Sequence, residues 1–337
     1  MRTRVIYGCH GTELLPDERR FFAEAQPWGF ILFGRNVAAP DQLRRLVGAL
    51  RDCVADAHAP VLIDQEGGRV ARLRPPLWKA RLPAARFGAL HKVSAIAARD
   101  CAYLNARLIA YELCELGINV DCAPVLDVPV EGADDVIGDR AFAHDPLTII
   151  ELGRAVIEGM LDGGVLPVMK HVPGHGRAMA DSHKALPRVT ASAEELSATD
   201  FVTFRSLNRC PMAMTAHVVY EAIDSQRPAT TSPKIVRDVI RGEIGFDGVL
   251  ISDDLSMEAL SGTLGARAKA ALFAGCDIVL HCNGSLDEMR DIAPEAKPLE
   301  DLPLKRTQAA LGLLAPPRNF DVPAGEARLA ELMDLAA

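Results

Sequence analysis

Residues 151–176, ELGRAVIEGMLDGGVLPVMKHVPGHG, hold a helix, a stop and a strand in one line. Glu151–Asp162 reads as an amphipathic helix. Gly163–Gly164 ends it, because glycine closes a helix most readily in the left-handed region. Leu166–His171 then reads as a strand. Its apolar run is continuous rather than alternating, as expected of a parallel strand covered on both faces. Beyond it, Pro173, Gly174 and Gly176 bar helix and permit a tight path close to a ligand.

The same unit recurs along the chain. Val5–Cys9, Gly29–Phe33, Pro60–Asp64, Ile118–Val125, Met212–His217, Val249–Asp253 and Asp277–His281 are likewise short apolar runs. Helical segments lie between them: Pro40–Asp52 with Asp41 as a cap, Ser94–Leu116, Ala193–Leu207, Pro233–Ile244 and Ala266–Ala274. Gly117, Gly245 and Gly275 repeat the stop before a strand. About eight strand–helix units predict an α/β fold, a single-domain (β/α)8 TIM-type barrel over residues 1–337. A doubly wound open sheet is the structural alternative. No low-complexity linker divides the chain, and 283–337, richer in proline and polar residues, reads as a closing C-terminal helical segment.

The 337 residues are 49% hydrophobic and 24% charged, which excludes disorder, collagen and coiled coil. Lys and Arg number 37 against 45 Asp and Glu, a net charge of −8, with no basic run. Nucleic acid and anionic membrane surfaces both demand a basic footprint, so neither is expected as a partner. No run approaches the ~18 apolar residues of a membrane span. MRTRVIYGCHGTELL lacks the apolar core of a secretory leader. The eight cysteines form no CxxC pair and sit mostly in apolar runs, as buried thiols of a reducing compartment do. A cytoplasmic monomer acting on a small molecule, with no cofactor, is the expectation.

In a barrel, reactive groups come from the C-terminal strand ends and the loops that follow. Polar residues recur there: Asp64, Glu66, Arg69 and Arg72 in VLIDQEGGRVARL, Asp127 in VLDV, Asp139 and Arg140 in IGDRAF. Lys170, His171, His175, Asp181 and His183 follow the fifth run, His217 the sixth, Asp253 and Asp254 the seventh. A single carboxylate there could be a helix cap. Charges at the same end of most strands cost several kcal/mol to bury unless paired, and so mark an active site.

Asp181 and His183 are two apart, and in an extended loop such residues project to one side. The carboxylate can then orient the imidazole and raise its basicity, giving a general acid/base near neutrality. The loop Gly174–His183, with its glycines and small residues, is expected to close on substrate. A metal held by His171, His175, Asp181 and His183 competes with this, but no zinc spacing is present and Lys170 would repel the ion. Asp253 and Asp254, adjacent on a strand, should point opposite ways, so only one faces the barrel axis. The parity of Val249 and Ile251 leaves open which. The other would cap the following helix, and Lys170 and Arg140 would supply neighbouring positive charge to a nucleophilic carboxylate.

GTELLPDE, GFILFGRN, LIDQEGGRVARL, APVLDV, IGDRAF, KHVPGHG with DSH, and FDGVLISDDLSM together resemble glycoside hydrolase family 3. Within it they resemble the bacterial β-N-acetylglucosaminidases of peptidoglycan recycling. The motifs run in order over most of Gly8–Met257. The resemblance implies a retaining mechanism, with Asp253, the first Asp of SDDLSM, as nucleophile and His183, held by Asp181, as acid/base. Asp64, Arg72, Arg140, Lys170 and His171 would bind the sugar hydroxyls and N-acetyl group. Val172 departs from the aromatic residue of many relatives, which bears on subsite shape. The implied reaction is exo-hydrolysis of terminal non-reducing β-GlcNAc from muropeptides carrying 1,6-anhydro-MurNAc. A phosphorylase on the same scaffold is the alternative within enzymes, since a histidine acid/base tolerates incoming phosphate better than a carboxylate does. A muropeptide-binding sensor without turnover is the alternative outside them, although a binder need not keep an acid/base pair.

Overall fold

The computed structural model describes residues 1–179 and 186–336. Eight parallel strands close into a barrel: β1 (Thr3–Gly8), β2 (Pro27–Leu32), β3 (Val61–Ile63), β4 (Val120–Asp121), β5 (Leu166–Val172), β6 (Met212–Thr215), β7 (Val249–Asp254) and β8 (Ile278–His281). Each strand pairs with its neighbours in sequence, and β8 returns to β1 with Leu280 opposite Ile6. Closure removes the open-sheet alternative.

Successive strand residues alternate between two buried layers. Ile6, Ile31, Leu62, Val168, Met214, Ile251 and Leu280 fill the barrel interior. Tyr7, Phe30, Ile63, Met169, Ala213, Leu250 and Val279 pack outward against the helices. Both faces are dry, which is why the runs carry no alternation. β4 is shorter than Ile118–Val125 because Pro124 has no N–H to give a ladder. Single bonds continue the pairing instead: the Val168 and Lys170 amides donate to the carbonyls of Ala123 and Pro124, each at 3.0 Å.

The N-terminal end of the barrel is plugged. Leu299 and Ala310, on and before helix Asp301–Leu311, join the inner cluster, and the Leu299 amide donates to the Arg2 carbonyl at 2.8 Å. The cavity therefore opens at the opposite end, where the strands finish.

Most helices follow the sequence, with differences set by capping. Ser94 accepts from the Ala97 amide to start Ala95–Glu115. Asp145 accepts from the Thr148 amide at 2.9 Å, so that helix begins at Pro146, ahead of Glu151. Asp41 does not cap its helix; it lies in the first turn, 2.6 Å from Arg44, while Gln42 accepts from the Ala38 amide at 2.8 Å. Ala193–Leu207 is two helices, Ala193–Ala198 and Asp200–Ser206. The break at Thr199 lets Arg177 reach the buried Asp200 at 2.7 Å. Within Pro233–Ile244, Ile235–Glu243 winds as a π-helix. Pro16–Ala25 and Ala84–His91 are helices that the apolar periodicity did not mark. Among the described residues no helix is long and apolar enough to cross a membrane. All eight cysteines are free thiols.

Helix Ala84–His91 touches the loop after the fourth strand through Gly88. A Cβ there would stand 1.6 Å from the Phe142 carbonyl oxygen, a backbone atom that cannot swing aside. Gly88→Ala should therefore lower unfolding free energy by at least the roughly 1–3 kcal/mol of ordinary overpacking. A urea melt with an unchanged midpoint would show that the two segments are not in contact.

Candidate active site

The C-terminal strand ends surround a cavity of about 280 Å³. Ile31, Phe33, Met214, Met257, Leu280 and Cys282 form its apolar wall. Asp64, Glu66, Arg72, Arg140, Lys170, His171, His175, Asp253 and Asp254 form its polar one. All the described residues expected to bind sugar or attack it are thus brought together.

One wall is a chain of alternating charges. Asp64 lies 2.9 Å from Arg72 on one oxygen and 2.9 Å from Lys170 on the other. Lys170 bridges on to Glu66 at 2.5 Å, and Glu66 receives Arg140 through two bonds of 2.9 Å. Bidentate pairing of this kind fixes orientation as well as distance. Burial opposes each charge, but the partners prevail. Lys170 and Arg72 hold the Asp64 carboxyl well below the usual range, and Lys170 and Arg140 hold Glu66 below it. Asp64 and Glu66 in turn raise the buried Lys170 ammonium above its ordinary value.

The scaffolding of this wall is local. Asp64 and Glu66 are two apart past β3 and face the cavity, while Gln65 turns away between them. Its carboxamide accepts from the Arg72 and Leu73 amides at 2.9 and 3.0 Å and donates to the Leu73 carbonyl at 3.0 Å, which fixes the turn bearing Arg72. The Arg72 guanidinium also lies over the Phe33 ring, 5.0 Å from its centre. Arg69 meets Asp139 at 2.9 Å and the Val136 and Ile137 carbonyls at 3.0 and 3.1 Å, holding the loop that carries Arg140.

Lys170 and His171 are neighbours on β5, yet both line the cavity. The register against β6 slips between Lys170 and Val172, which breaks strict alternation. Val172 is left in the outer layer, packed among helices, so its departure from an aromatic residue does not touch the cavity. Asp127, fully buried, accepts from the His171 ring Nδ1 at 2.7 Å and from the His171 and His175 amides at 3.2 and 2.6 Å. His171 thereby keeps Nδ1–H on the carboxylate and turns Nε2 to the cavity. Burial, then the proximity of His171, lowers the His175 pKa to about 4, so His175 is a neutral ring at ordinary pH.

The adjacent aspartates correct the sequence reading. Both Asp253 and Asp254 line the cavity, because the pairing of β7 with β8 is irregular just before Asp254. Asp254 caps no helix. Its oxygens accept from the Ser256 amide at 3.1 Å, the Ser256 hydroxyl and the Cys282 amide at 3.1 Å, tying a turn to the end of β8. The next helix, Leu264–Ala274, is capped by Thr263. Lys170 and Arg140, expected to serve Asp253, are committed to Asp64 and Glu66.

Asp181 and His183, with the closing part of loop Gly174–His183, lie outside the described residues, so half of the four-ligand metal alternative does too. Among the described residues no group of three or more His, Cys, Asp or Glu is placed to hold a metal. Glu66 belongs to the site as firmly as Asp64. The signal for it was present, since two carboxylates two apart at a strand end share a face. Asp254 and Asp127 could not be assigned from parity, because a register slip and a long-range contact decide them.

Comparison with known proteins agrees with this geometry. The glycosyl hydrolase family 3 N terminal domain matches residues 16–311. A beta-hexosaminidase of Alkalilimnicola ehrlichii is 41% identical over 310 residues, covering 90% of this chain and 87% of that one. Another from Tolumonas auensis is 43% identical over 286 residues, covering 83% and 82%. The crystal structure of NagZ from Neisseria gonorrhoeae in complex with N-trifluoroacetyl-D-glucosamine superposes with a TM-score of 0.88 at 32% identity, covering 100% of this chain and 98% of that one. With a matching barrel, a matching length and two-fifths identity, the chain belongs to glycosyl hydrolase family 3, as a glycoside hydrolase of the β-hexosaminidase type.

Proposed function

We propose that the protein is an exo-acting, retaining β-N-acetylglucosaminidase that removes terminal non-reducing β-GlcNAc from muropeptides in the cytoplasm. The observation that carries this reading is the opposition of two walls. Asp64 at the end of β3 and Asp253 at the end of β7 stand four strands apart in an eight-stranded barrel, across one cavity. The charged wall offers directional donors and acceptors to vicinal hydroxyls. A sugar held there presents its anomeric carbon toward β7. A pocket blocked at one end by ion pairs suits a chain terminus rather than a chain interior. The resemblance to enzymes of peptidoglycan recycling supports the muropeptide substrate.

In the first step an Asp253 oxygen bonds to the anomeric carbon as the glycosidic C–O bond breaks, and His183, oriented by Asp181, gives its proton to the departing oxygen. In the second, His183 takes a proton from water, whose oxygen attacks the anomeric carbon and releases Asp253. Most retaining enzymes use a second carboxyl group as the acid. Besides Asp253, the described residues of the cavity include three carboxylates: Asp64 and Glu66 are held ionised by their cations, and the Ser256 and Cys282 donors use the Asp254 oxygens as acceptors. None of the three is a ready proton donor, which supports the histidine acid that the resemblance implies.

Turnover of an aryl β-GlcNAc glycoside tests the reading. Asp253→Ala should fold normally and lose nearly all activity. Asp254→Ala should lose stability, on the order of 1–3 kcal/mol for orphaned buried donors, while keeping measurable turnover. A 2-deoxy-2-fluoro glycoside should label Asp253, and a label on Asp254 would reverse the assignment.

For His183→Ala, loss of rate should be greatest for poor leaving groups and small for acidic phenols, which depart without a proton. Equal loss across a leaving-group series would remove His183 from the acid role. Acceleration by inorganic phosphate, with sugar phosphate as product, would favour the phosphorylase instead.

A further inference from the structure

Behind Asp253 lies a set of buried polar groups that the reaction as described does not use. Thr215 ends β6, His217 follows two residues later, and Thr230 sits in the short turn Ala229–Thr231; all three are fully buried. The Asp253 amide lies 3.2 Å from Thr215 Oγ1, which is 2.8 Å from Thr230 Oγ1. Thr230 Oγ1 is 2.7 Å from His217 Nδ1, and His217 Nε2 is 2.9 Å from the Asp254 carbonyl. The path begins at the amide of one aspartate and ends at the carbonyl of the next.

Proton counting gives this path a single direction. A carbonyl only accepts, so His217 carries its hydrogen on Nε2. Burial lowers the His217 pKa, so the ring is neutral and Nδ1 has a lone pair. Thr230 gives its one hydrogen to Nδ1, which at 2.7 Å is a nearer acceptor than the Ala216 carbonyl at 3.1 Å. Thr230 then accepts from Thr215, and Thr215, its hydrogen spent, accepts from the Asp253 amide. Every donor is used once, and the bonds polarise one another in the same sense. The Asp254 amide, inside this loop, donates to Asp253 Oδ1 at 2.8 Å, which ties the carboxylate to the backbone that the loop holds.

We propose that Thr215, Thr230 and His217 are positioning residues, a one-directional hydrogen-bond loop that holds the Asp253 carboxylate where it meets the anomeric carbon. This rests on the reading of Asp253 as nucleophile. Thr215 stands on β6, between β5 and β7, and the bonds that the three residues make run to the Asp253 and Asp254 backbone rather than to the charged wall, so they bear on the chemical step more than on sugar affinity.

The test compares two substitutions of one side chain. Thr230→Val keeps the volume and removes the hydroxyl; Thr230→Ser keeps the hydroxyl and removes the methyl. On an aryl β-GlcNAc substrate, Thr230→Val should lower kcat roughly 10- to 100-fold, the scale of a small misplacement of a reacting group, with KM nearly unchanged. Thr230→Ser should restore most of the rate, and Thr215→Val, which removes the first bond, should repeat the kcat loss. Nitrogen-15 correlation spectra should show His217 as the neutral Nε2–H form in the parent and in Thr230→Ser, with Nδ1 shifted in Thr230→Val as its donor is lost. Equal losses for valine and serine would mean packing, and would overturn the proposal, as would parent kcat in Thr230→Val. A charged or Nδ1–H His217 would also overturn it. If Asp253→Ala still turned over, the nucleophile reading would fall and the positioning role with it, while the His217 resonances would still report whether the loop exists.

Discussion

An ammonium group buried to 3% exposure cannot stand alone, and the arrangement of this site follows from that constraint at Lys170. Removing such a charge from water costs several kcal/mol unless its partners and geometry compensate. Asp64 and Glu66 supply the partners, and being buried carboxylates they need cations of their own, Arg72 and Arg140. Those two arrive on loops, which need anchoring, and Gln65 and Arg69 provide it. The result is three cations against two carboxylates, fixed before any substrate arrives. Such a wall meets a sugar with little reorganisation, which is where preorganised polar sites gain over water.

The Asp253 side is built on a different principle. No cation of the charged wall is spent on it; its backbone is held by neutral bonds through buried hydroxyls, an imidazole and a carbonyl. The distinction suits the chemistry. Neutral bonds fix the backbone that carries the nucleophile, so its place is set independently of the cations that meet the sugar. Sugar recognition gains from permanent charge, since charge-assisted bonds to hydroxyls are stronger and more directional.

The barrel was legible in the sequence because parallel strands covered on both faces leave continuous apolar runs, and because glycine stops recur before them. Charges recurring at strand ends marked the mouth of the barrel as the site; the choice of Asp64, Arg72, Arg140, Lys170, His171 and Asp253 among them came from the resemblance, and all six line the one cavity. What was not legible depended on contacts distant in sequence or on local breaks in regularity. Asp127 meets its partners 44 and 48 positions later. The helix break at Thr199 exists to let Arg177 reach Asp200, and nothing in Ala193–Leu207 itself records it. The bearing of Val172 on subsite shape was an expectation from the resemblance alone; the register slip that turns it to the outer layer leaves no mark in the sequence.

That irregularity follows from counting. A barrel in strict alternation turns about four side chains into each interior layer, one from every second strand. Among the described residues nine polar side chains line this cavity, more than one layer can hold. Loops provide part of the excess: Asp64, Glu66, Arg72, Arg140 and His175 all lie past strand ends. The rest comes from the strands themselves. β5 slips register between Lys170 and Val172, and the pairing of β7 with β8 is irregular ahead of Asp254. Each irregularity places two consecutive residues, Lys170 with His171 and Asp253 with Asp254, on the cavity side. Both occur at the mouth, where the ladder is ending and a disrupted bond can be replaced: Asp127 takes the His171 amide and Asp254 takes the Cys282 amide. Deeper in the barrel the same slip would orphan buried backbone groups and turn an apolar layer inside out. The dense polar cavity and the regular dry core beneath it are therefore two consequences of one rule about where a strand can afford to lose its register.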